Sequence, residues 1–307
     1  INMQYTSGTT GFPKGVMLTS HNILNNGQTI GDCMHFTPTD RLLVCVPLFH
    51  CFGCVLGVCS VITHGSTMVM VEDFDPLKVL ASVHRERCTA LHGVPTMFIA
   101  MLEHPDFDKY DFSHMRTGIM AGSPCPIKTM YDVSEKMNMH DIVIVFGQTE
   151  AAPGCTMTTT EDSLETRCAT VGKAFPGVEC KIVDPNTGET LPAGQIGEFC
   201  ARGYNIMKGY YKMPEETTKM FTEDGWFKTG DIGYVTEDRQ LFITGRVKNL
   251  IILSSGENVS PEAIEKKFKK LSLVSEVVVY GEKDHLVAEI YPDFEHAEQE
   301  GVKDIPA

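Results

Sequence analysis

Three features that this sequence lacks narrow the classes of protein it can belong to. No apolar run approaches the ~20 residues that a membrane-spanning helix requires, and the first residues show no basic segment followed by an apolar signal core. Positive charge is scarce, because 26 Lys and Arg face 40 Asp and Glu and leave a net charge of −14. Nucleic-acid phosphates require clustered Lys and Arg, so the composition argues against a nucleic-acid partner.

A disulfide framework is also disfavoured, although the chain has 11 cysteines. That framework belongs to short secreted chains, and most of these cysteines lie in apolar stretches such as Leu43-Val44-Cys45-Val46, where Cys behaves as a small apolar residue. Cys51-Phe52-Gly53-Cys54 is a CxxC, but no second CxxC follows at zinc-ribbon spacing. We therefore expect a cytoplasmic protein with reduced cysteines.

Apolar runs alternate with helix-periodic stretches through the first half of the chain. We predict strands at 41–46, 67–71, 89–92, 117–120 and 141–146, and helices at 76–87, 95–103 and 126–139. Asp75 before Pro76 is typical of a helix N-cap followed by proline at the first helical position. This alternation predicts α/β layers on a mostly parallel sheet.

The pattern changes beyond about Gly154, where short strands are separated by Gly, Pro, Asn and Asp. Such punctuation predicts an antiparallel β subdomain. From Lys248 the pattern predicts a small α+β C-terminal domain, with strands at 250–253, 276–280 and 286–291 and a helix at 261–270. The predicted domains are 1–247, with α/β layers to about 154 and a β-rich region at 155–247, and 248–307.

The most informative segment is Tyr5-Thr6-Ser7-Gly8-Thr9-Thr10-Gly11-Phe12-Pro13-Lys14-Gly15-Val16. Its glycines allow several backbone N–H groups to converge on one anion, its hydroxyl side chains add donors, and Lys14 adds a positive charge. This set of groups suits a polyphosphate. It does not have the Walker spacing, because only two residues separate Gly8 from Gly11 and Pro13 precedes Lys14.

The whole segment resembles the phosphate loop of the adenylate-forming superfamily, which contains acyl-CoA synthetases, firefly luciferase and the adenylation domains of peptide synthetases. A second stretch, Phe146-Gly147-Gln148-Thr149-Glu150, resembles the family's (Tyr/Phe)-Gly-x-Thr-Glu signature. The resemblance implies that Thr149 lies near the α-phosphate of ATP and that Glu150 holds Mg²⁺. A carboxylate that follows a parallel strand is suited to this, because Mg²⁺ prefers oxygen ligands and bridges to phosphates.

The resemblance implies binding roles for several other stretches. Ala121-Gly122-Ser123-Pro124 would form one wall of the adenine site, and Asp231 of Thr229-Gly230-Asp231 would bind the ribose together with Arg246. Lys248 would be the hinge about which the small domain rotates. The residues expected to contact the nucleotide or coenzyme A are Thr6, Ser7, Gly8, Thr9, Thr10, Gly11, Lys14, Gly122, Ser123, Gly147, Gln148, Thr149, Asp231, Arg246 and Gly256.

Four residues are expected to carry the chemistry: Lys14, His50, Thr149 and Glu150. His50, in Pro47-Leu48-Phe49-His50, would lie beside the acyl pocket and the mouth of the thiol channel. Gly256, in the loop before the helix at 261, would approach the coenzyme A thiol. The implied reaction is that of an ATP-dependent acyl-CoA synthetase, in which a fatty acid, ATP and coenzyme A give acyl-CoA, AMP and pyrophosphate through an acyl-adenylate.

Two alternatives remain open at this point. One is a peptide-synthetase-type adenylation domain, but the apolar stretch 51–56 offers no acidic partner for a substrate ammonium, which favours a fatty acid. The stretches 85–107 and 248–252 most resemble the medium- and long-chain fatty acyl branch of the family. The other is a non-catalytic nucleotide-binding fragment, because the family's terminal Gly-Lys lysine has no counterpart and Lys303, in Gly301-Val302-Lys303-Asp304, does not match it. We expect that the chain is truncated at both ends, since the family carries a long segment ahead of its phosphate loop.

Overall fold

A computed structural model describes residues 2–6, 13–252, 258–268, 271–282 and 285–299 of the chain. The strands are β1 Asn2–Thr6, β2 Lys14–Leu18, β3 Arg41–Val44, β4 Thr67–Met70, β5 Ala90–Gly93, β6 Thr117–Met120, β7 Asp141–Gly147, β8 Gly154–Met157, β9 Lys173–Ala174, β10 Val178–Val183, β11 Gly197–Gly203, β12 Gly209–Tyr210, β13 Phe227–Val235, β14 Leu241–Arg246, β15 Ile251–Ile252, β16 Asn258–Val259, β17 Val274–Glu282 and β18 His285–Pro292.

The α-helices are α1 Ser20–Cys33, α2 Ser60–Thr63, α3 Pro76–Glu86, α4 Pro95–Leu102, α5 Ile127–Lys136, α6 Leu164–Ala169, α7 Pro214–Lys219, α8 Pro261–Phe268 and α9 Phe294–Gln299. A π-helix spans Phe52–Cys59, and 3₁₀ turns occupy Phe107–Lys109, Thr149–Ala151 and Val247–Asn249. Asp75 caps α3 as predicted, because its carboxylate accepts the backbone N–H of Lys78 at 2.9 Å.

The largest sheet has seven strands in the order β4-β3-β5-β6-β7-β8-β9. The pairs from β4 through β3, β5 and β6 to β7 are all parallel. The pairs β7–β8 and β8–β9 are antiparallel. The predicted fold class, α/β layers on a mostly parallel sheet with antiparallel β structure after about 154, is confirmed. Connections between parallel strands require crossovers, and helices α3, α4 and α5 supply them.

Alternate side chains of the parallel strands enter two separate cores. Leu43, Leu91 and Ile142 pack with helices α3, α4 and α5 in one buried cluster. Their neighbours Leu42 and Val143 pack in a second cluster with α1 and the π-helix. Since successive residues of a strand point to opposite faces, both faces of this sheet are covered, which explains why its strands are continuous apolar runs.

Helix α1 was not predicted, although its N-terminus has a recognisable signal. Thr19 and Asn22 form a capping box, in which each side chain accepts the other residue's backbone N–H, at 2.7 and 3.2 Å. Asn26 is fully buried on the same helix, and its amide exchanges two hydrogen bonds with the backbone of Gly154 at 2.9 and 3.1 Å. These polar contacts attach α1 to the start of β8.

The remaining strands form smaller sheets. One has the order β1-β2-β12, another has the order β10-β11-β13-β14, and β15-β16 and β17-β18 form antiparallel pairs. Backbone contacts divide the chain into one unit of Ile1–Lys181, Cys200–Thr229 and Val235–Phe242, and a second of Ile182–Phe199, Gly230–Tyr234 and Ile243–Ala307. The domain boundary at Lys248 stays a prediction. Within the described ranges, none of the helices combines the length and the apolar character needed to cross a membrane.

His92 is a titratable group in the second core. It is fully buried on β5, between the rings of Phe36 and Phe52 at centroid distances of 6.3 and 6.2 Å. Its Nδ1 accepts the backbone N–H of Ile119 at 3.2 Å, so the neutral ring carries its proton on Nε2. That nitrogen has no hydrogen-bond partner in the described part of the chain. Burial lowers the pKa of His92 to about 4, because the core cannot solvate an imidazolium.

We therefore expect the free energy of unfolding to decrease in weak acid because of His92. An unfolded His takes up a proton near pH 6.5 whereas the folded one does so near pH 4, so the unfolded state binds more protons between these values. Urea denaturation at pH 7 and pH 5 should show the wild-type protein losing about 2 kcal/mol more than His92→Gln. Equal losses in the two proteins would show that His92 does not titrate this way.

Candidate active site

Several predicted site residues follow the carboxyl ends of neighbouring parallel strands. His50 comes after β3, Gly122 and Ser123 come after β6, and Gln148 to Glu150 come after β7. The register pairs Gly93 of β5 with Met120 of β6, so these strands end at the same edge of the sheet. Ligands of open α/β sheets bind at this edge. The fold therefore gathers segments that span about 100 residues of the sequence, from His50 to Glu150.

The antiparallel pair β1–β2 encloses the predicted phosphate loop. Thr6 pairs with Lys14 at the end of the two strands, so the loop is the connection between them. Ser7, Gly8, Thr9, Thr10 and Gly11 lie outside the described residues, as does Gly256. Among the loop residues expected to contact phosphate, Thr6 and Lys14 have described positions.

Lys14 is buried, with 8% of its surface exposed. Its Nζ lies 2.7 Å from Oε2 of Glu216 and 5.0 Å from the centroid of the Tyr210 ring. A buried ammonium requires such compensation, because leaving it unpaired away from water is costly. Pairing of β12 with β2 brings Tyr210 here, since Tyr210 lies opposite Val16 in the sheet.

Glu216 lies on α7 and remains ionised well into acid. Hydrogen bonds from Lys14 and then from Lys219 lower the pKa of the Glu216 carboxyl to about 2. A carboxyl whose folded pKa is depressed stabilises the fold above its unfolded pKa, and this contribution is lost as the pH falls towards 2. The Lys14–Glu216 ion pair is therefore intact at neutral pH.

Glu150 lies in the 3₁₀ turn after β7 and is 7% exposed. Its Oε1 accepts the hydroxyl of Tyr210 at 2.8 Å, and its backbone carbonyl accepts the N–H of Met207 at 2.7 Å. Burial, followed by the charge of Glu150, raises the pKa of Tyr210, so the hydroxyl keeps its proton and acts as the donor. Lys14 and Glu150 therefore contact the same tyrosine, one at its ring and one at its hydroxyl.

The surroundings of Glu150 are compatible with a magnesium ion that is completed by phosphate. Its Oε2 makes no hydrogen bond within the described residues, so one carboxylate oxygen remains for a cation. No cluster of three or more His, Cys, Asp and Glu side chains suited to a metal occurs in the described part of the chain. Mg²⁺ does not require one, because it commonly binds through one or two carboxylates, substrate phosphates and waters.

Gly147 determines the path of the chain into this turn. A Cβ at this position would lie 1.9 Å from the carbonyl oxygen of Pro153, which no side chain tolerates. The close approach allows the Gln148 N–H to donate to that same carbonyl at 2.9 Å. The Gln148 amide donates to the Thr229 carbonyl at 3.2 Å. Gly147 and Gln148 thus fix the backbone that presents Thr149 and Glu150.

His50 and Thr149 lie on either side of Cys51. The Cys51 sulfur is 3.9 Å from Nδ1 of His50 and 3.8 Å from Oγ1 of Thr149. The His50 Nδ1 also accepts the N–H of Phe52 at 3.1 Å, so a neutral ring carries its proton on Nε2. Partial desolvation of the ring lowers the pKa of His50, and burial raises the pKa of Cys51 to about 11. Both groups are therefore uncharged at neutral pH.

In the second unit, Asp231 and Arg246 form an ion pair. An Arg246 Nη1 donates to Oδ1 of Asp231 at 2.6 Å, and the Asp231 side chain is 5% exposed. Lys248, the predicted hinge, is exposed in the 3₁₀ turn that follows β14. The structure thus brings the two predicted ribose-binding residues into direct contact.

Tyr210 and Glu216 are the site residues that sequence reasoning missed. Each acts on a partner far away in the sequence, since Glu216 is 202 residues from Lys14 and Tyr210 is 60 residues from Glu150. A weak signal exists, because Gly209-Tyr210-Tyr211 opens the segment that leads to Asp231. Nothing local identifies which of its side chains enters the site.

Comparison with known proteins gives consistent matches. The family model described as AMP-binding enzyme matches residues 1–211. The Bacillus subtilis protein YngI, whose name places it among acyl-CoA synthetases, is 53% identical over 284 residues, which are 92% of this chain and 52% of YngI. The mitochondrial medium-chain acyl-CoA ligase ACSF2 of Rattus norvegicus is 40% identical over 294 residues, covering 94% of this chain and 48% of ACSF2.

A solved structure supports the same fold. O-succinylbenzoate coenzyme A synthetase (MenE) of Bacillus subtilis, in complex with ATP and a magnesium ion, superposes with a TM-score of 0.81 at 30% identity. The match covers 94% of this chain and 59% of MenE. The chain spans about half the length of the curated relatives it matches.

Because the backbone of Pro153 lies so close to Gly147, we expect that adding a side chain at Gly147 destabilises the protein. Gly147→Ala should lower the free energy of unfolding by about 1–3 kcal/mol, because the new methyl group forces the backbone of Pro153 to move. Gly57→Ala is the matched control, since a Cβ there would make only an ordinary contact, 3.4 Å from Val44. Urea denaturation measures both, and equal stability of the two variants would contradict the predicted packing at Gly147.

Proposed function

Because this chain belongs to the AMP-binding enzyme family, we propose that it binds ATP with Mg²⁺ and acts as an acyl-CoA synthetase on a fatty acid. The observation that carries the proposal is the position of Lys14 and Glu150 on either side of Tyr210. A cation suited to phosphate and a carboxylate suited to magnesium thus lie in one buried network. The acyl-CoA synthetase and ligase names of the relatives support the same activity.

In this proposal the substrate carboxylate attacks the α-phosphorus of ATP, and pyrophosphate leaves as acyl-AMP forms. The thiol of coenzyme A then attacks the acyl carbonyl, and AMP leaves. The protein contributes by positioning the reactants and by stabilising negative charge. Lys14 would exchange Glu216 for phosphate oxygens, and Thr6, Ser7, Gly8, Thr9, Thr10 and Gly11 would supply the other donors of the loop.

Glu150 would hold the magnesium ion through Oε2, the oxygen that Tyr210 does not contact. When bound, the ion neutralises charge on the phosphates. Thr149, whose Oγ1 lies next to Cys51, would donate to the α-phosphate. His50 would donate from Nε2 to the acyl carboxylate, because its Nδ1 already accepts the Phe52 N–H.

The remaining predicted site residues are assigned to the nucleoside of ATP, to coenzyme A and to the hinge. Gly122 and Ser123 would form a wall of the adenine site, and Gly147 and Gln148 would border the phosphates. Asp231 would accept the ribose hydroxyls, held ready by its ion pair with Arg246. Lys248 would be the hinge, and Gly256 would contact coenzyme A.

The acid is proposed to be a fatty acid because the wall that follows His50 is apolar. Cys51, Phe52, Val55 and Leu56 are buried there, and the π-helix that begins at Phe52 contains no charged residue. An amino-acid substrate would need a carboxylate to pair with its ammonium. The relatives include a medium-chain acyl-CoA ligase, which supports this choice.

Calorimetry with ATP and Mg²⁺ tests the phosphate assignment. Lys14→Ala should weaken binding by about tenfold or more, because a charge-assisted hydrogen bond contributes ~1.5–3 kcal/mol. Lys219→Ala is the matched control: it also pairs with Glu216, but its side chain is 68% exposed, so its loss should leave binding nearly unchanged. Equal effects of the two substitutions would refute a specific role for Lys14.

The acid class is tested by pyrophosphate release from ATP with fatty acids and amino acids in parallel. Release is expected with medium- or long-chain fatty acids, and none above background with amino acids. Glu150→Gln should abolish most of the release while the protein stays folded, because the amide lacks the charge that holds the metal. Release with amino acids alone would support the peptide-synthetase-type alternative instead.

A further inference from the structure

Tyr210 contacts two charged residues of the candidate site, Glu150 and Lys14. Its hydroxyl donates to Oε1 of Glu150 at 2.8 Å, and its ring lies 5.0 Å from the ammonium of Lys14. The side chain is only 4% exposed. One residue therefore contacts both the carboxylate and the cation, and it does so through two different parts of its side chain.

The backbone around Tyr210 is held from two directions. Tyr210 pairs with Val16 in the β1-β2-β12 sheet, and the flanking N–H groups of Lys208 and Tyr211 donate to the carbonyls of Met17 and Gly15 at 3.0 and 2.7 Å. Its own N–H donates to Oγ1 of Thr217 on α7 at 2.9 Å. The side chain belongs to a buried cluster with Val16, Leu18, Ala152, Met207 and Phe227. Little freedom remains for the ring to move.

The hydroxyl contact differentiates the two oxygens of Glu150. A phenol that keeps its proton is a donor to the carboxylate, so Oε1 is engaged and the carboxylate plane is fixed. Groups that hydrogen-bond to a metal ligand in this way orient it, and their loss typically costs 10–100-fold in metal affinity. The ring contact has a separate effect, because the face of an aromatic ring attracts an ammonium.

We propose that Tyr210 is a positioning residue with two separable roles: its hydroxyl directs Oε2 of Glu150 to the magnesium ion, and its ring retains Lys14 beside the phosphates. This inference rests on the proposed function, because it assumes that Glu150 holds the metal. It adds a residue through which the phosphate lysine and the metal carboxylate depend on each other.

Two substitutions separate these roles. Tyr210→Phe removes only the hydroxyl, and Tyr210→Leu also removes the aromatic face. Calorimetry of ATP binding across a magnesium titration should show about a tenfold higher magnesium requirement for Tyr210→Phe, with unchanged binding of ATP in EDTA. Tyr210→Leu should in addition weaken binding in EDTA by at least about threefold, the effect of a cation–π contact of ~0.6 kcal/mol or more. Tyr211→Phe, at a neighbouring residue that is 44% exposed, should match the wild type.

A double-mutant cycle distinguishes positioning from a general loss of structure. If Tyr210 acts on the metal through Glu150, adding Tyr210→Phe to Glu150→Gln should not raise the magnesium requirement further. A further tenfold increase in that background, or a magnesium requirement of Tyr210→Phe equal to the wild type, would overturn the inference.

The magnesium dependence of ATP binding by the wild-type chain distinguishes failure of the Tyr210 role from failure of the proposed function. If wild-type binding depends on magnesium but Tyr210→Phe does not change that dependence, the positioning role fails and the proposed function stands. If the wild-type chain binds ATP with no dependence on magnesium, the metal assignment of Glu150 fails and the inference falls with it.

Discussion

The burial of one lysine is the constraint on which the rest of the site depends. Lys14 is 8% exposed, and a buried ammonium must be compensated. The compensation comes from residues about 200 positions further along the chain. Glu216 supplies the opposite charge and Tyr210 supplies an aromatic face. Tyr210 also donates a hydrogen bond to Glu150, in the turn after β7. The residue that compensates the charge of Lys14 therefore connects the end of the predicted phosphate loop to the end of β7. Pairing of β12 with β2 makes this geometry available.

This arrangement explains how a fold with separate cores produces one site. The parallel strands have buried residues on both faces and are covered by helices, so the faces of the sheet are closed. Ligands of such sheets bind at the carboxyl ends of the strands. The turns after β3 and β7 meet there through Cys51, which lies between His50 and Thr149. The hairpin β1–β2 adds Lys14, strand β12 adds Tyr210 and helix α7 adds Glu216. Rigid strands thus position residues that lie in turns, as is common for sites in α/β folds.

The sequence was sufficient to predict features that depend on local pattern. The strand at 117–120 and the N-cap Asp75 follow from apolar runs and from proline placement, and both appear in the structure. Strand β4, predicted at 67–71, was also placed to within one residue. The reason is physical, since these elements are specified by residues within a few positions of one another.

Features that depend on distant partners were not predictable in this way. Tyr210 and Glu216 have no local property that marks them, because their roles exist only when β12 lies against β2. The π-helix 52–59 reads as an apolar run in the sequence, and its hydrogen-bond pattern has no recognised sequence signal. Helix α1 was missed for another reason: Thr19 and Asn22 form a capping box with Asn in place of the usual Glu or Gln.

The central proposal is that Lys14 and Glu150 belong to one nucleotide site, linked by Tyr210. The most direct test is a crystal structure of the chain with Mn²⁺ and a non-hydrolysable ATP analogue, with the metal located by its anomalous signal. We expect Mn²⁺ on Oε2 of Glu150, Oε1 still bound to the Tyr210 hydroxyl, and the ammonium of Lys14 on the phosphates. Mn²⁺ bound away from Glu150, with Lys14 still paired to Glu216 in the presence of the nucleotide, would contradict it.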